Sequence, residues 1–212
     1  MIDKRLTGGR KIHRCQKKIN ALGFSLQFAN CEFSIFVFMR KTEMKPQDIL
    51  VLAKIVAVGK NPWIGQDLAA ELCISKSEVS ESLNRSKYAR LLDFSKQKVN
   101  AAAFLEFLEH GIRYVYPAVI NGRQKGFLTA FSAPPLNKKI TSQTAIVWAN
   151  ENGTAFGESI KPLYPAVVPA IQRDKVLYEL LALIEAIRIG RAREIFLAKN
   201  ELKARFQNYA LQ

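Results

Sequence analysis

Histidine and cysteine are scarce in this chain of 212 residues, which has two histidines and three cysteines. Cys15, Cys31 and Cys73 are odd in number and far apart, and none belongs to a CxxC or Cys/His pattern. Zinc sites and disulfide frameworks need such clustering. The sequence therefore predicts no metal site and no structural disulfide, and it favours a reducing, cytoplasmic location.

Catalytic signatures are missing as well. The glycines at 122, 126, 153 and 157 form neither a GxGxxG motif nor a P-loop, and no GxSxG or HExxH sequence occurs. No pair of carboxylates adjoins His or Lys in a motif that would bind a metal or activate water. We therefore expect no enzymatic activity and no cofactor, and a nucleic-acid enzyme is the weakest interpretation.

A long uninterrupted apolar run is also absent. The stretch from Ala21 to Met39 is rich in phenylalanine, but Gln27, Asn30 and Glu32 interrupt it, whereas a membrane-spanning helix needs roughly 20 mostly apolar residues. We expect no membrane association. Two interpretations of residues 1–43 stay open: a translation start placed too far upstream, or a basic arm followed by a short β element. No function is assigned to them.

Positive charge is abundant, with 32 Lys and Arg against 18 Asp and Glu and a formal net charge of +14. The remainder of the chain stays basic when residues 1–43 are left out. A basic surface attracts polyanions. Double-stranded DNA is therefore the first partner to consider.

Helical patterns fill residues 46–92. A first helix is predicted from Pro46, with Asp48 in its first turn, and Gly59 ends it. A second short helix spans Gly65 to Leu72. Cys73 and Ile74 then form a tight turn, and Ser75 caps a third helix with Glu78 completing a capping box.

The segment QDLAAELCISKSEVSESLNRSKYARLL resembles the helix-turn-helix of bacterial winged helix-turn-helix regulators of the MarR-like group. Cys73 departs from the glycine that such proteins often have in the turn. The resemblance implies that the third helix enters the major groove of DNA and that Asp93 to Val99 form a wing hairpin. The implied DNA-contacting residues are Lys76, Ser77, Ser80, Glu81, Asn84, Arg85, Lys87, Lys96 and Lys98, with Arg85 as the first choice.

Residues 100–212 are predicted to combine helices with a small β region. Asn100 caps a helix that His110 and Gly111 end. The sequences RYVYPAV and KGFLTAFSAPPL are expected to be extended, and 145–149 and 154–160 to form a hairpin. A long helix begins near Asp174 and breaks at Gly190, and its apolar stripe is expected to mediate dimerisation.

These patterns together predict an α+β protein with an N-terminal winged helix-turn-helix, a small β-containing region and long C-terminal helices. The expected segments are 1–43, 44–113 and 114–212. The favoured function is a sequence-specific DNA-binding transcriptional regulator, which is expected to act as a repressor and as a homodimer. The alternative is an antitoxin-like autoregulator of a toxin or phage-defence operon, which also binds a partner protein through its C-terminal half.

Overall fold

Residues 42–211 are described by a computed structural model, so the extension expected at 1–43 lies almost entirely outside the described residues. From Met44 onward the chain packs as one unit. It combines α-helices with a small three-stranded sheet, which confirms the α+β class. One hydrophobic core contains side chains from both the helical first part and the sheet-containing second part.

The first three helices lie where the sequence predicts them. They are α1 (Pro46–Val58), α2 (Gly65–Leu72) and α3 (Lys76–Tyr88). Gly59 ends α1 with a φ of 67°, and the side chain of Ser75 accepts a hydrogen bond from the Glu78 N–H at 3.2 Å. The Glu78 carboxylate accepts in return from the Ser75 N–H at 2.9 Å, so the predicted capping box is confirmed.

Cys73 ends α2 in the left-handed conformation, with φ 55° and ψ 40°. Its N–H bonds to the carbonyl of Ala70 at 3.4 Å, and the next N–H, that of Ile74, bonds to Ala69 at 3.0 Å. Glycine is the usual residue in this conformation because a Cβ is sterically unfavourable there. The turn thus keeps its geometry although a cysteine stands where glycine is common.

The helix that Asn100 caps is longer than predicted. It consists of α4 (Ala101–Glu106), a π-helical turn (Phe107–Gly111) and α5 (Ile112–Val115). The prediction that Gly111 ends it is wrong, and so is the extended structure expected for the start of RYVYPAV. Phe104, Leu108 and Ile112 are completely buried at four-residue spacing, and this tertiary packing outweighs the weak helix propensity of glycine.

The sheet contains β1 (Ile120–Leu128), β2 (Ile146–Ala149) and β3 (Ala155–Ile160). Each strand pairs with both others, so the three close into a small barrel. β1 is antiparallel to β2, with Phe127 opposite Trp148, and antiparallel to β3, with Lys125 opposite Phe156. β2 and β3 pair in parallel, with Val147 opposite Ser159. The antiparallel hairpin predicted for 145–149 and 154–160 is therefore wrong, because β1 is the antiparallel partner of both strands.

The C-terminal part contains α6 (Val167–Ile171), α7 (Lys175–Ile189) and α8 (Ala192–Ala210). Asp174 caps α7, accepting from the Leu177 N–H at 3.0 Å, and Gly190 separates α7 from α8. The predicted helix start near Asp174 and the predicted break at Gly190 are thus confirmed. The apolar stripe of α7 is at most 2% exposed; its members are Leu177, Leu180, Leu181, Ile184 and Ile187. The chain's own core thus covers the stripe that was expected to mediate dimerisation.

Buried ionic contacts tie these parts together. Lys54 on α1 forms ion pairs with Glu71 on α2 and with Asp174, the latter at 2.6 Å. Burial by itself would lower the pKa of Lys54, but hydrogen bonds to Asp174 and Glu71 hold it above its ordinary value. The Lys54 cation therefore joins α1, α2 and the start of α7.

A second buried group joins α7 to the sheet. The Glu185 carboxylate accepts hydrogen bonds from Trp148 Nε1 at 3.4 Å, the Leu163 N–H at 3.2 Å and the Arg188 guanidinium at 2.5 Å. Burial raises the pKa of Glu185 despite these contacts. Arg188 also donates to the carbonyl of Tyr116 at 2.8 Å. Removing either charge would leave the other one buried without its partner.

The closed sheet depends on close backbone approach at Gly126, where a Cβ would lie 2.1 Å from the carbonyl oxygen of Trp148. We expect Gly126→Ala to lower the free energy of unfolding by about 2–3 kcal/mol, because the clash involves backbone that cannot rotate away. Gly122→Ala on the same strand is the matched control. Its Cβ would meet nothing within 4 Å, so a change within about 0.5 kcal/mol is expected in urea unfolding. Equal losses in both variants would contradict the barrel closure.

Candidate nucleic-acid interface

One face of α3 is open to solvent, and we call it the outer face. Its members are Lys76, Ser77, Ser80, Glu81 and Asn84, all exposed. The opposite side packs inward through Val79 and Leu83. Residues three or four apart lie on the same side of a helix, so the exposed polar groups form one continuous surface. Five of the predicted DNA-contacting residues therefore lie together.

Arg85 is a correction to the predicted site. Its side chain is 3% exposed and faces Asp48 on α1, which is completely buried. Arg85 Nε donates to Asp48 Oδ2 at 2.9 Å and the terminal nitrogen Nη2 donates to Oδ1 at 2.6 Å. Hydrogen bonding to Asp48 holds the pKa of Arg85 above its ordinary value. Arg85 is an anchor between α1 and α3, and its side chain is not open to a DNA base.

The Asp48 carboxylate has a second role at the start of α1. Its Oδ2 also accepts from the backbone N–H of Lys45 at 2.8 Å, which satisfies a donor that the beginning of the helix leaves unpaired. From the sequence, Asp48 was expected in the first turn of α1 only because a negative charge is favourable at the start of a helix. Its pairing with a residue 37 positions away was not visible, because α1 and α3 meet only in the folded chain.

The N-terminal end of α3 is held by neighbouring elements. Lys76 Nζ donates to Gln66 Oε1 on α2 at 2.7 Å, and the hydroxyl of Tyr164 donates to Glu78 Oε1 at 3.3 Å. The backbone hydrogen bond from Ser75 is the main cause that holds the pKa of Glu78 below its ordinary value. The end of the helix that would approach DNA is thus fixed by contacts to two other elements.

Residues 93–98, which we call the 93–98 loop, occupy the position predicted for a wing. The predicted hairpin is reduced to a single antiparallel bridge, between Leu92 and Val99, which closes the loop. Asp93 Oδ1 accepts from the backbone N–H groups of Gln97 at 2.8 Å and Lys98 at 3.0 Å. Burial alone would raise the pKa of Asp93, but hydrogen bonds from Ser95, Lys98 and Gln97 hold it below its ordinary value.

A groove of about 460 Å³ lies between this loop and the end of α3. Three cationic residues line it, Lys87, Arg90 and Lys98, and we call it the basic groove. Lys98 is exposed and Lys87 half-buried, while the remaining predicted wing residue, Lys96, is half-buried with a φ of 61°.

Arg90 and Phe94 were missed in the sequence analysis although both line the basic groove. The Lys87 ammonium lies 5.2 Å from the centre of the Phe94 ring, and Phe94 is 89% exposed. Arg90 follows α3 with a φ of 60°. The sequence did indicate both residues, because each lies within eight positions of Lys87 and Lys98 in a basic stretch.

Most carboxylates around this surface are already engaged. Asp48 is paired with Arg85, Glu78 caps α3 and Asp93 holds its loop. Glu81 is the most exposed of these carboxylates, with a side chain that is 68% exposed and that forms an ion pair with Arg85 Nη1 at 3.7 Å. The outer face has one exposed cation, Lys76, and one exposed anion, Glu81, so the excess of positive charge lies at the basic groove, where Arg90 and Lys98 are exposed.

Within residues 42–211, no three His, Cys, Asp or Glu side chains cluster so that they would hold a metal ion. In the same part of the chain, no helix combines the length and the apolar character that crossing a membrane requires.

Comparison with known proteins gives no match from which a role for this surface could be inferred. No protein-family model, no curated protein and no solved structure matches the chain.

Because Arg85 is buried against Asp48 whereas its neighbour Asn84 is exposed, substitutions at these two positions are expected to affect the stability of the fold differently. We expect Arg85→Ala to lower the free energy of unfolding by about 3–5 kcal/mol, because it leaves the Asp48 carboxylate buried without its partner. The control is Asn84→Ala, one position earlier and exposed, for which a change within about 0.5 kcal/mol is expected. Urea unfolding followed by circular dichroism measures both. An Arg85→Ala variant as stable as the wild type would show that the guanidinium is not an anchor.

Proposed function

We propose that the chain binds duplex DNA in a sequence-specific way through a winged helix-turn-helix, and that it regulates transcription by occupying an operator. The observation that carries the proposal is the outer face of α3. Its side chains are polar, with one cation (Lys76) and one anion (Glu81), the helix behind it is anchored by the buried Arg85–Asp48 pair, and its N-terminus is capped. Helix-turn-helix units present this kind of helix to the major groove.

The chemistry of the outer face suits base recognition. Asn pairs bidentately with adenine, Lys donates to guanine, and Ser bonds to several bases. Asn84 is the best placed of these, because it is exposed and has no helix cap to maintain, whereas Ser77 contacts the Ser75 hydroxyl at 3.0 Å. Glu81 would accept from a cytosine amino group.

The basic groove suits the DNA backbone. Half or more of protein–DNA hydrogen bonds go to phosphate and sugar, and these contacts fix the orientation of the protein. Lys87, Arg90 and Lys98 line the groove at the C-terminal end of α3. In the proposal they bind phosphates beside the recognised bases, and Lys96 does so from the loop.

The buried α7 stripe changes how a dimer would form. Two half-sites one helical turn apart require two copies of the helix. In the proposal the two copies meet through exposed apolar side chains, for which Val176 at 51% and Phe196 at 64% are available on α7 and α8. The dimer surface is therefore proposed on the outside of these helices.

Binding of the full chain to labelled DNA from upstream of its own gene tests the proposal, with scrambled DNA of equal length as the reference. We expect a preference of about 10³ or more at physiological salt. Asn84→Ala should remove about 1–3 kcal/mol of that preference while leaving binding to scrambled DNA unchanged. Lys98→Ala should weaken both equally and reduce the salt slope by about one.

The two variants control for each other, since both positions are exposed and neither supports the core. Equal, salt-sensitive binding to operator and scrambled DNA would contradict sequence recognition and leave a nonspecific DNA-binding protein. Absence of binding to either DNA would overturn the proposal.

A second candidate function is partner binding by an antitoxin-like autoregulator, and the surface around β1 favours it. Every residue from Ile120 to Lys125 is exposed, and Tyr114, Val119 and Phe156 are 81%, 70% and 68% exposed. Val119 adjoins the start of β1, and Phe156 lies opposite Lys125 farther along the same strand. Exposed apolar surface is a feature of protein interfaces. Co-purification with the product of the adjacent gene, lost in Val119→Asp but kept in Phe196→Asp, would support it; co-purification unaffected by Val119→Asp would contradict it.

A further inference from the structure

Phe94 is the most exposed large apolar side chain among residues 42–211, at 89%. A side chain with so little buried area contributes little to the hydrophobic core, because hydrophobic stabilisation scales with the apolar area removed from water. Single exposed apolar residues are common on protein surfaces. Phe94 differs from such residues in two ways: hydrogen bonds hold the backbone around it, and cationic side chains lie beside its ring.

The backbone around Phe94 is held in place. The Asp93 carboxylate receives the N–H groups of Gln97 and Lys98, the Asp93 N–H bonds to the Lys98 carbonyl at 2.9 Å, and the Lys96 N–H bonds to the Asp93 carbonyl at 3.1 Å. These bonds close the loop on both sides of residue 94. The ring is therefore presented to solvent from a fixed backbone, which reduces the entropy that binding would cost.

Cationic groups surround the exposed ring. The Lys87 ammonium lies 5.2 Å from its centre, and Arg90 and Lys98 line the same groove. The groove also contains Leu92, Val99 and Asp93, but the two apolar side chains are buried and the carboxylate is hydrogen-bonded within the loop. The charged side chains left exposed beside the ring, Arg90 and Lys98, are cationic. Cations beside an exposed aromatic ring match a duplex, in which phosphates flank stacked bases.

The length of α3 indicates which groove the ring would meet. The helix has 13 residues and is about 20 Å long, while the major groove is about 12 Å wide. With the N-terminal end of α3 in the major groove, its C-terminal end lies over the bordering phosphates. The 93–98 loop, which begins five residues after the end of α3, would then face the adjacent minor groove.

We propose that Phe94 enters the minor groove of duplex DNA and inserts between two base pairs, with Lys87, Arg90 and Lys98 binding the flanking phosphates. The inference rests on the proposed DNA-binding function and adds to it a wedge that unstacks one step. Pyrimidine–purine steps such as TA unstack most readily. Phe94 therefore selects a deformable step, and the bound DNA is kinked toward the major groove.

The test uses the full chain and 24-base-pair duplexes with a central TA step, labelled at both ends for energy transfer and carrying 2-aminopurine at the step. Wild-type protein is expected to raise both the 2-aminopurine fluorescence and the energy transfer. Phe94→Ala should bind about tenfold more weakly and give neither signal, whereas Phe94→Leu retains an apolar wedge and should keep both. Val115→Ala on α5 removes an exposed apolar side chain that belongs to neither the proposed DNA-binding surface nor the proposed dimer surface, and it should behave as the wild type.

The outcomes separate this inference from the function on which it rests. If the wild type binds no duplex, both are overturned. If the wild type binds and Phe94→Ala retains its affinity and both signals, only the wedge is overturned. Weaker binding by Phe94→Ala with the wild type giving no 2-aminopurine signal also overturns it, because the ring would then contact the groove without unstacking the bases.

Discussion

The buried pair of Arg85 and Asp48 is the contact that decides how α3 is oriented. Two hydrogen bonds of 2.6 and 2.9 Å join the guanidinium to the carboxylate, and a third holds the same carboxylate on the N-terminus of α1. Because both charges are almost fully removed from water, neither tolerates loss of the other. With Arg85 turned inward, Asn84 and Ser80 lie on the outer face, so the composition of the candidate interface follows from this pair.

The second part of the chain supports the same helix. Tyr164, four residues beyond β3, donates to Glu78 in the capping box, and Arg173 donates to the Ala70 carbonyl at 2.9 Å near the end of α2. Lys54 extends these ties from α1 to α2 and to the cap of α7. The residues that would face DNA are therefore connected by hydrogen bonds and ion pairs to both the sheet side and the C-terminal helices.

The distribution of charge explains why the basic excess of residues 42–211 lies at their surface. Buried or half-buried carboxylates such as Asp48, Asp174 and Glu185 each have a cationic partner within the fold. Within residues 42–211, the cations that line the basic groove pair with no carboxylate, and Lys87 contacts the Phe94 ring. A polyanion would encounter these exposed cations first, and the electrostatic attraction would weaken with added salt.

Local chemistry in the sequence determined the elements whose causes are local. Pro46 and Gly59 bound α1, Ser75 and Glu78 cap α3, and Asp174 and Gly190 bound α7, because each of these signals acts within one turn of its own helix. The exposed polar face of α3 followed from helical spacing in the same way. These features were predictable without knowledge of any distant contact.

Tertiary structure decided what depends on partners far apart in the chain. Arg85 looked like a surface cation until Asp48, 37 positions away, accounted for its charge. Gly111 looked like a helix end until the burial of Ile112 carried the helix past it. β2 and β3 looked like a hairpin, but β1 is the antiparallel partner of both strands. The apolar stripe of α7 looked available for dimerisation, but it is buried in the core. In each case the sequence indicated which residues were important but not how they are arranged, because the free energy that selects the arrangement comes from long-range packing and charge pairing.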